Sequence, residues 1–129
     1  MTVPYLSQAW LDRLRELASA LQERPGTTAR VQHVVTGAPS GEVRYTMTIV
    51  DGRVSAATLG DDVDAEVTMS LTYAVAVDVV RGELDSNAAF MQGRVKIVGD
   101  MGRVMALMPL TQSDEYRAAL AALAEQTEF

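Results

Sequence analysis

The sequence predicts an α+β fold, one mainly antiparallel sheet with helices over one face. Three observations carry this reading. Four stretches between Arg30 and Leu71 are valine-rich or alternate polar and apolar side chains with period two, as half-covered strands do. At Thr72 the apolar spacing lengthens to that of a helix. One more alternating stretch, Arg94 to Val98, then sits between helical segments.

Taken in order, the chain opens with a helix. Ser7 can cap it, because its hydroxyl accepts an orphan amide hydrogen bond. Trp10, Leu14, Leu17, Ala18 and Leu21 share one face, and Pro25-Gly26 stops it. Arg30 to Thr36 reads as a strand, closed by the turn cluster Gly37 to Gly41. Glu42 to Val50 places Val43, Tyr45, Met47 and Ile49 on one side. Asp51-Gly52 follows, the pair a type I′ hairpin turn favours because both central residues need positive φ. Arg53 to Leu59 is the return strand, and Glu66 to Leu71 alternates again.

Thr72 can cap a helix whose Tyr73, Ala76, Val77 and Val80 share a face, with Val75 and Val79 on a second flank. It is apolar around most of its girth, which predicts burial on more than one side. Gly82 ends it, and Ser86 to Met91 forms a short helical turn. After the strand Arg94 to Val98, Asp100 can cap a helix running through Met101, Val104, Met105, Leu107 and Met108 to Pro109. Ser113 can cap a last helix, Asp114 to Glu125, with Tyr116, Leu120, Leu123 and Ala124 on a stripe. No repeat or long linker divides the 129 residues, so one domain spanning residues 1–129 is expected.

Composition excludes several functions. There is no cysteine, hence no disulfide, thiolate metal site or cysteine nucleophile. The net charge is −6 with no basic stripe, which argues against nucleic acid as a partner. No apolar run approaches the roughly 20 residues of a membrane span, so stable membrane insertion is not expected. The first ten residues lack a secretory pattern and Thr127-Glu128-Phe129 is no peroxisomal address. A cytoplasmic location is the expectation. Ten arginines against one lysine suggest a GC-rich bacterial source.

The catalytic inventory is thin. His33 is the single histidine, so a zinc site of several His or Cys ligands cannot be assembled, and no G-x-S-x-G elbow accompanies it. It shares strand parity with Val31 and Val35, and can line either the core or the open sheet face. Gly99-Asp100-Met101-Gly102 lacks the spacing and lysine of a phosphate loop. The acidic cluster Asp61, Asp62, Asp64 and Glu66 lacks calcium-loop spacing. Glu83 and Asp85 lie in a turn rich in residues that need no chemical role. No catalytic residue, metal or cofactor is therefore assigned. The seven methionines are more telling, five of them being Met69, Met91, Met101, Met105 and Met108. Methionine suits surfaces that accept varied apolar shapes, and it also fills ordinary cores. Three apolar helices compete for one sheet face, so either they pack together or they enclose a cavity; sequence leaves both open.

The run Phe90-Met91-Gln92-Gly93-Arg94-Val95-Lys96-Ile97-Val98-Gly99-Asp100-Met101-Gly102 resembles the sterol carrier protein type 2 family. That family has a phenylalanine, then Gly with alternating basic and aliphatic residues, then Gly-Asp or Gly-Asn-Met. Val80 to Asp85 resembles its helix end, and Met105, Leu107 and Leu110 its aliphatic helix. The resemblance spans about residues 42 to 110. It implies a five-stranded sheet covered by helices, an apolar tunnel between them, and cofactor-free binding of sterols, fatty acids, fatty acyl-CoAs or related lipids. It places Phe90, Met91, Ile97, Met101, Val104, Met105 and Met108 near the tunnel, Tyr73, Val77 and Val80 on another wall, and Leu120 and Leu123 at its closure. The family's vertebrate members end in a peroxisomal signal that this chain lacks, and many of its bacterial relatives have no established ligand, so "sterol" is not carried over with the family name.

The expected function is non-catalytic binding and transfer of a hydrophobic ligand by a monomer or weak homodimer. Burial at about 0.8 kcal/mol per CH₂ lets a sixteen-carbon chain supply roughly 10–13 kcal/mol before ordering costs. A charged head would rest at the mouth near Arg94, Lys96 or Arg103. The alternative is a small cofactor-free isomerase or cyclase using the same cavity, with His33 or Tyr45, and Asp85, as acid–base groups. A third reading is a non-binding module whose apolar helices serve a dimer.

Overall fold

The computed structural model describes residues 2–18, 21, 23–39, 41–60, 64–111 and 113–128. Asp61, Asp62 and Phe129, which figure in the sequence reading, lie outside them. In chain order the elements are β1 (Val3–Pro4), α1 (Gln8–Ala18), β2 (Ala29–Ala38), β3 (Gly41–Val50), β4 (Arg53–Leu59) and β5 (Val67–Thr72). Then come α2 (Tyr73–Val80), α3 (Ser86–Met91), β6 (Val95–Gly99), α4 (Met101–Thr111), α5 (Asp114–Glu125) and β7 (Thr127–Glu128).

The five strands β2 to β6 form one sheet in the order β4-β3-β2-β5-β6. Only β2 and β5 run parallel; the other neighbours are antiparallel. Register fixes the faces. His33 stands opposite Tyr45 on one side and Met69 on the other, and Val35 lies between Val43 and Leu71. These residues share the face under the helices. A one-residue slip would turn every one of them to the open face. The open face carries Arg30, Gln32, Thr46, Thr68 and Lys96 by the same alternation.

Local chemistry sets the joints. Asp51 and Gly52 both have positive φ, 50° and 86°, as the hairpin reading requires. Thr72 Oγ1 accepts from the Val75 N–H, Asp100 Oδ1 from the Arg103 N–H, and Ser113 Oγ from the Tyr116 N–H. Each cap satisfies a donor that would otherwise face an open helix end.

Two features depart from the sequence reading. The first helix is described over Gln8–Ala18, and Leu21 already lies outside it, short of Pro25-Gly26. Beyond it the chain is tied to the β3–β4 hairpin: Arg53 Nε–H donates to the Leu21 carbonyl (2.7 Å), and Arg24 N–H to that of Asp51 (2.6 Å). The termini also pair, β1 with β7 in parallel. Two-residue strands leave no periodic signal, so sequence could not show them. Trp10 reinforces this closure. Its Nε1–H donates to Thr127 Oγ1 (3.1 Å), whose hydroxyl donates to the Leu123 carbonyl (2.6 Å).

The core has two parts. The larger joins α1, α2, α4 and α5 to the sheet through Trp10, Leu14, Val35, Val80, Leu110 and Leu123. The smaller holds Ala29, Val31, Val67 and Val104, with Met69, Ile97 and Leu107 against it.

Gly99 closes β6 with φ +131°. A Cβ there would overlap the Glu66 carbonyl oxygen and stand 2.9 Å from Val67 Cα. Neither backbone atom can yield without breaking the β5–β6 pairing. Gly99→Ala is therefore expected to cost about 2–4 kcal/mol, from strain plus steric overlap. A thermal melt checks this, and an unchanged midpoint would contradict the packing described.

Candidate functional site

Against both core parts lies a chamber of about 130 Å³, open over part of its boundary. Its floor is the helix-side face of the sheet, with Val31, His33, Tyr45, Met47, Ile49 and Met69. Ala76, Val79 and Val80 of α2 form one wall. Trp10 and Leu14 of α1, Leu107 of α4, and Tyr116 and Leu120 of α5 supply the rest, with Tyr5 from the segment after β1. Among the described residues, none that lines it is Lys, Arg, Asp or Glu.

Size sets what fits. An apolar cavity of about 150 Å³ holds a benzene ring, whereas drug-sized pockets run about 300–1,000 Å³. The chamber as it stands takes a ring or a short alkyl chain. A sixteen-carbon chain requires the helices to part.

The polar groups of the chamber are aromatic. His33 and Tyr45 stack with centroids 4.6 Å apart and planes 3° from parallel, because they are a cross-strand pair. Trp10 meets Tyr45 edge-on at 5.9 Å and Tyr5 at 4.8 Å. Such edge and offset contacts are favoured by the ring quadrupoles. His33 Nδ1 is buried without a hydrogen-bond partner among the described residues. Burial lowers the imidazole to about 4, with only partial offset from the Val31 backbone. Burial raises Tyr45 well above the usual phenol range, and the nearby hydroxyls of Tyr5 and Tyr116 push the same way. Burial also raises Tyr116, and raises Tyr5 with a further push from Tyr73. All four groups are thus uncharged at neutral pH.

The structure redistributes the residues expected from sequence. Val80 and Leu120 line the chamber. Val77 is buried but turned from it, while Ala76 and Val79 take the place expected of Val77. Tyr73 packs beside Tyr5, at 5.8 Å, and lines a separate surface groove with Pro4, Pro39 and Val43. Val104 and Ile97 belong to the smaller core part. Phe90 and Met108 are half-buried and do not line the chamber.

The methionine assignment needs correction. Met91, Met101 and Met105 are 85%, 47% and 68% exposed, so they do not wall the chamber. The cause is the rotation of α4. Arg103 Nε pairs with Glu66 Oε2 at 2.9 Å, and its Nη1–H donates to the Thr28 carbonyl at 2.6 Å. That anchor turns Val104, Leu107 and Leu110 inward and Met101 and Met105 outward. Met105→Glu should therefore leave both the melting midpoint and ligand loading unchanged, within about 0.5 kcal/mol for a surface substitution. Lost loading in a folded variant would place the guest at α4's outer face.

Two of the three basic residues expected at the mouth are also placed elsewhere. Arg103 is committed to Glu66 and Thr28. Lys96 pairs across from Ser70, with its parity on the open sheet face. Asp85 caps α3 through the Ala88 N–H and lies 3.9 Å from Arg117 at the surface, away from His33's chamber. Lining residues that the sequence reading did not assign to the site include Trp10, Tyr5, Tyr116, Met47 and Leu107. For Met47 the signal was strand parity, which set it beside Tyr45 and Ile49 on one side of its strand.

Comparison with known proteins follows this geometry. The model of the SCP-2 sterol transfer family matches residues 10–112. No curated protein matches. Among solved structures, a crystal structure of sterol carrier protein 2 superposes with TM-score 0.70 at 15% identity, covering 96% of this chain and 99% of that one. A Thermus thermophilus protein described as possibly a sterol carrier protein gives 0.66 at 17% identity, covering 96% and 90%. The palmitated form of an Aedes aegypti sterol carrier protein 2 like 2 gives 0.62 at 14% identity, covering 88% and 96%. No helix among the described residues is long and apolar enough to cross a membrane.

Proposed function

Because this chain belongs to the SCP-2 sterol transfer family, we propose that it carries an apolar small molecule in the chamber between sheet and helices and releases it unchanged. The observation behind this reading is the chamber itself: unfilled space of about 130 Å³ walled by aliphatic and aromatic side chains. Protein interiors normally pack with few voids larger than a water molecule. An apolar void of that size forfeits dispersion contacts on every wall, and a guest restores them. The palmitated Aedes aegypti relative supports an aliphatic guest, which here needs α2, α4 and α5 to move off the sheet.

The alternative, an isomerase or cyclase, draws on His33 and Tyr45 inside the chamber. Carriage is the better reading for a chemical reason. General acid–base catalysis works best with a group that titrates near the operating pH. His33 is lowered to about 4 and Tyr45 is raised above its normal range, which spreads the pair away from neutrality. Asp85, the carboxylate considered with them, is engaged at the surface.

Native mass spectrometry tests the proposal. Delipidated protein incubated with a mixed lipid extract should gain stoichiometric, extractable adducts of unaltered mass. Failure to load any apolar compound would overturn carriage, and a chemically altered product would favour the enzyme.

A further inference from the structure

We propose that two copies of this chain associate through the free edge of β6, antiparallel and about a two-fold axis at Val98. The association does not depend on what the chamber holds. The five-stranded sheet has two edges, β4 and β6. An edge strand turns the N–H and C=O of alternate residues away from the sheet. The β4 edge is closed within the chain. Gln8, at the start of α1, donates its Nε2–H to the Ala57 carbonyl (3.1 Å) and accepts from the Leu59 N–H through Oε1 (3.2 Å). One side-chain amide thus stands in for a neighbouring strand. β6 has no such cover. Among the described residues, Val95–Gly99 make no hydrogen bond beyond those of the β5 ladder.

Charge selects the register. An edge lysine ordinarily discourages pairing between chains, and Lys96 does so for most alignments of β6 with a second copy. Residues that face each other across antiparallel strands share a sheet face, so the two-fold axis must fall on a residue. With the axis at Lys96, that cation stands against its own copy, which is destabilising. With the axis at Ile97, Lys96 faces Val98 of the second copy and lies diagonal to the other Lys96. With the axis at Val98, the two Val98 side chains meet, and Lys96 faces Asp100 of the second copy, twice by symmetry. Lys96 makes no ion pair among the described residues. Asp100 uses Oδ1 to cap α4, which leaves Oδ2 for the incoming ammonium.

This register also accounts for apolar side chains left in solvent. Val98 is 56% exposed on β6, and it pairs with itself at the axis. Met101 of one copy comes to the Val95 end of the other strand, against which α3, with the exposed Met91, packs. Arg94 lies diagonal to the same Asp100 of the second copy and adds a second cation to it. A pairing that runs only from Lys96 to Asp100 is a small interface, so a reversible dimer with a Kd on the order of 100 µM is expected. Repulsion between two copies at −6 each is screened beyond about 8 Å at physiological salt.

The chain has no cysteine, so a single introduced thiol reports the register. Val98→Cys sets two thiols directly opposite, with Cα atoms about 4.5–5.5 Å apart and within disulfide reach. Lys96→Cys, on the same strand and face, leaves its two thiols about 13 Å apart along the strand. Under mild oxidation at physiological salt, Val98→Cys should form covalent dimer at least about tenfold faster than Lys96→Cys. Sedimentation equilibrium of the wild type should show the mass rising toward that of a dimer between about 10 µM and 1 mM. Lys96→Asp sets a carboxylate against Asp100 of the second copy and should weaken the dimer at least about tenfold. A wild type that stays monomeric to about 1 mM, equal crosslinking of the two cysteine variants, or an unchanged Kd in Lys96→Asp would each overturn the inference.

Discussion

Ala76→Phe is expected to abolish ligand loading in a chain that remains folded. Ala76 is buried on α2 and faces the chamber. A phenyl group in its place projects into a void of about 130 Å³ and takes up most of it. Filling recovers dispersion contacts at about 24 cal/mol per Å³ of void removed, while a misfit ring costs about 1–3 kcal/mol of overpacking. The two oppose, so stability should shift by no more than about 2 kcal/mol. Binding has no such compensation. A guest must displace the ring or go without its space, and the affinity for 1-octanol should drop at least about 100-fold, or roughly 2.7 kcal/mol. Calorimetric titration beside a thermal melt reads both quantities. Undiminished binding in a folded Ala76→Phe chain would put the ligand somewhere else.

A second large effect is expected in acid. His33 is lowered to about 4 in the folded chain, against about 6.5 in the unfolded one. Between these values the unfolded chain binds a proton that the folded chain refuses. Stability from this group is complete above pH 6.5 and is lost as pH falls toward 4. The loss amounts to about 3 kcal/mol across the window, at 1.36 kcal/mol per pH unit. His33→Phe keeps a ring against Tyr45 and removes the titration. Its stability should be flat relative to the wild type above pH 6.5, with the difference shrinking in favour of the variant below it. Denaturant midpoints at pH 7.5, 5.5 and 4.5 measure this. Parallel profiles would mean that His33 is solvated rather than enclosed.

The sheet was legible because its signals are local. Alternation in Glu42 to Val50 is a consequence of pleat geometry, and it put Tyr45, Met47 and Ile49 on the covered face. The caps at Thr72, Asp100 and Ser113 were equally legible, since each depends on one side chain and an amide three residues away. The walls of the chamber were harder. α2 and α4 are apolar around most of their circumference, so periodicity names no inward face. For α4 the choice is made by Arg103 reaching Glu66 and Thr28, contacts distant in sequence. That is why Leu107 lines the chamber and Met105 does not. His33 stood undecided between two sheet faces until its pairing with Tyr45 and Met69 fixed the side. The β1–β7 pairing that seats Tyr5 beside Trp10 depends on both chain ends meeting, which no local pattern records.

Heavy-atom quenching of Trp10 tests the central claim most directly. Bromine quenches indole only at near contact, and the Trp10 ring is 2% exposed at the edge of the chamber. Titration with 1-bromooctane should produce saturable quenching at one equivalent, reversed by n-octane and absent in Ala76→Phe. Emission that stays constant up to the solubility limit, or declines without saturating and ignores n-octane, would contradict an interior built to receive a guest.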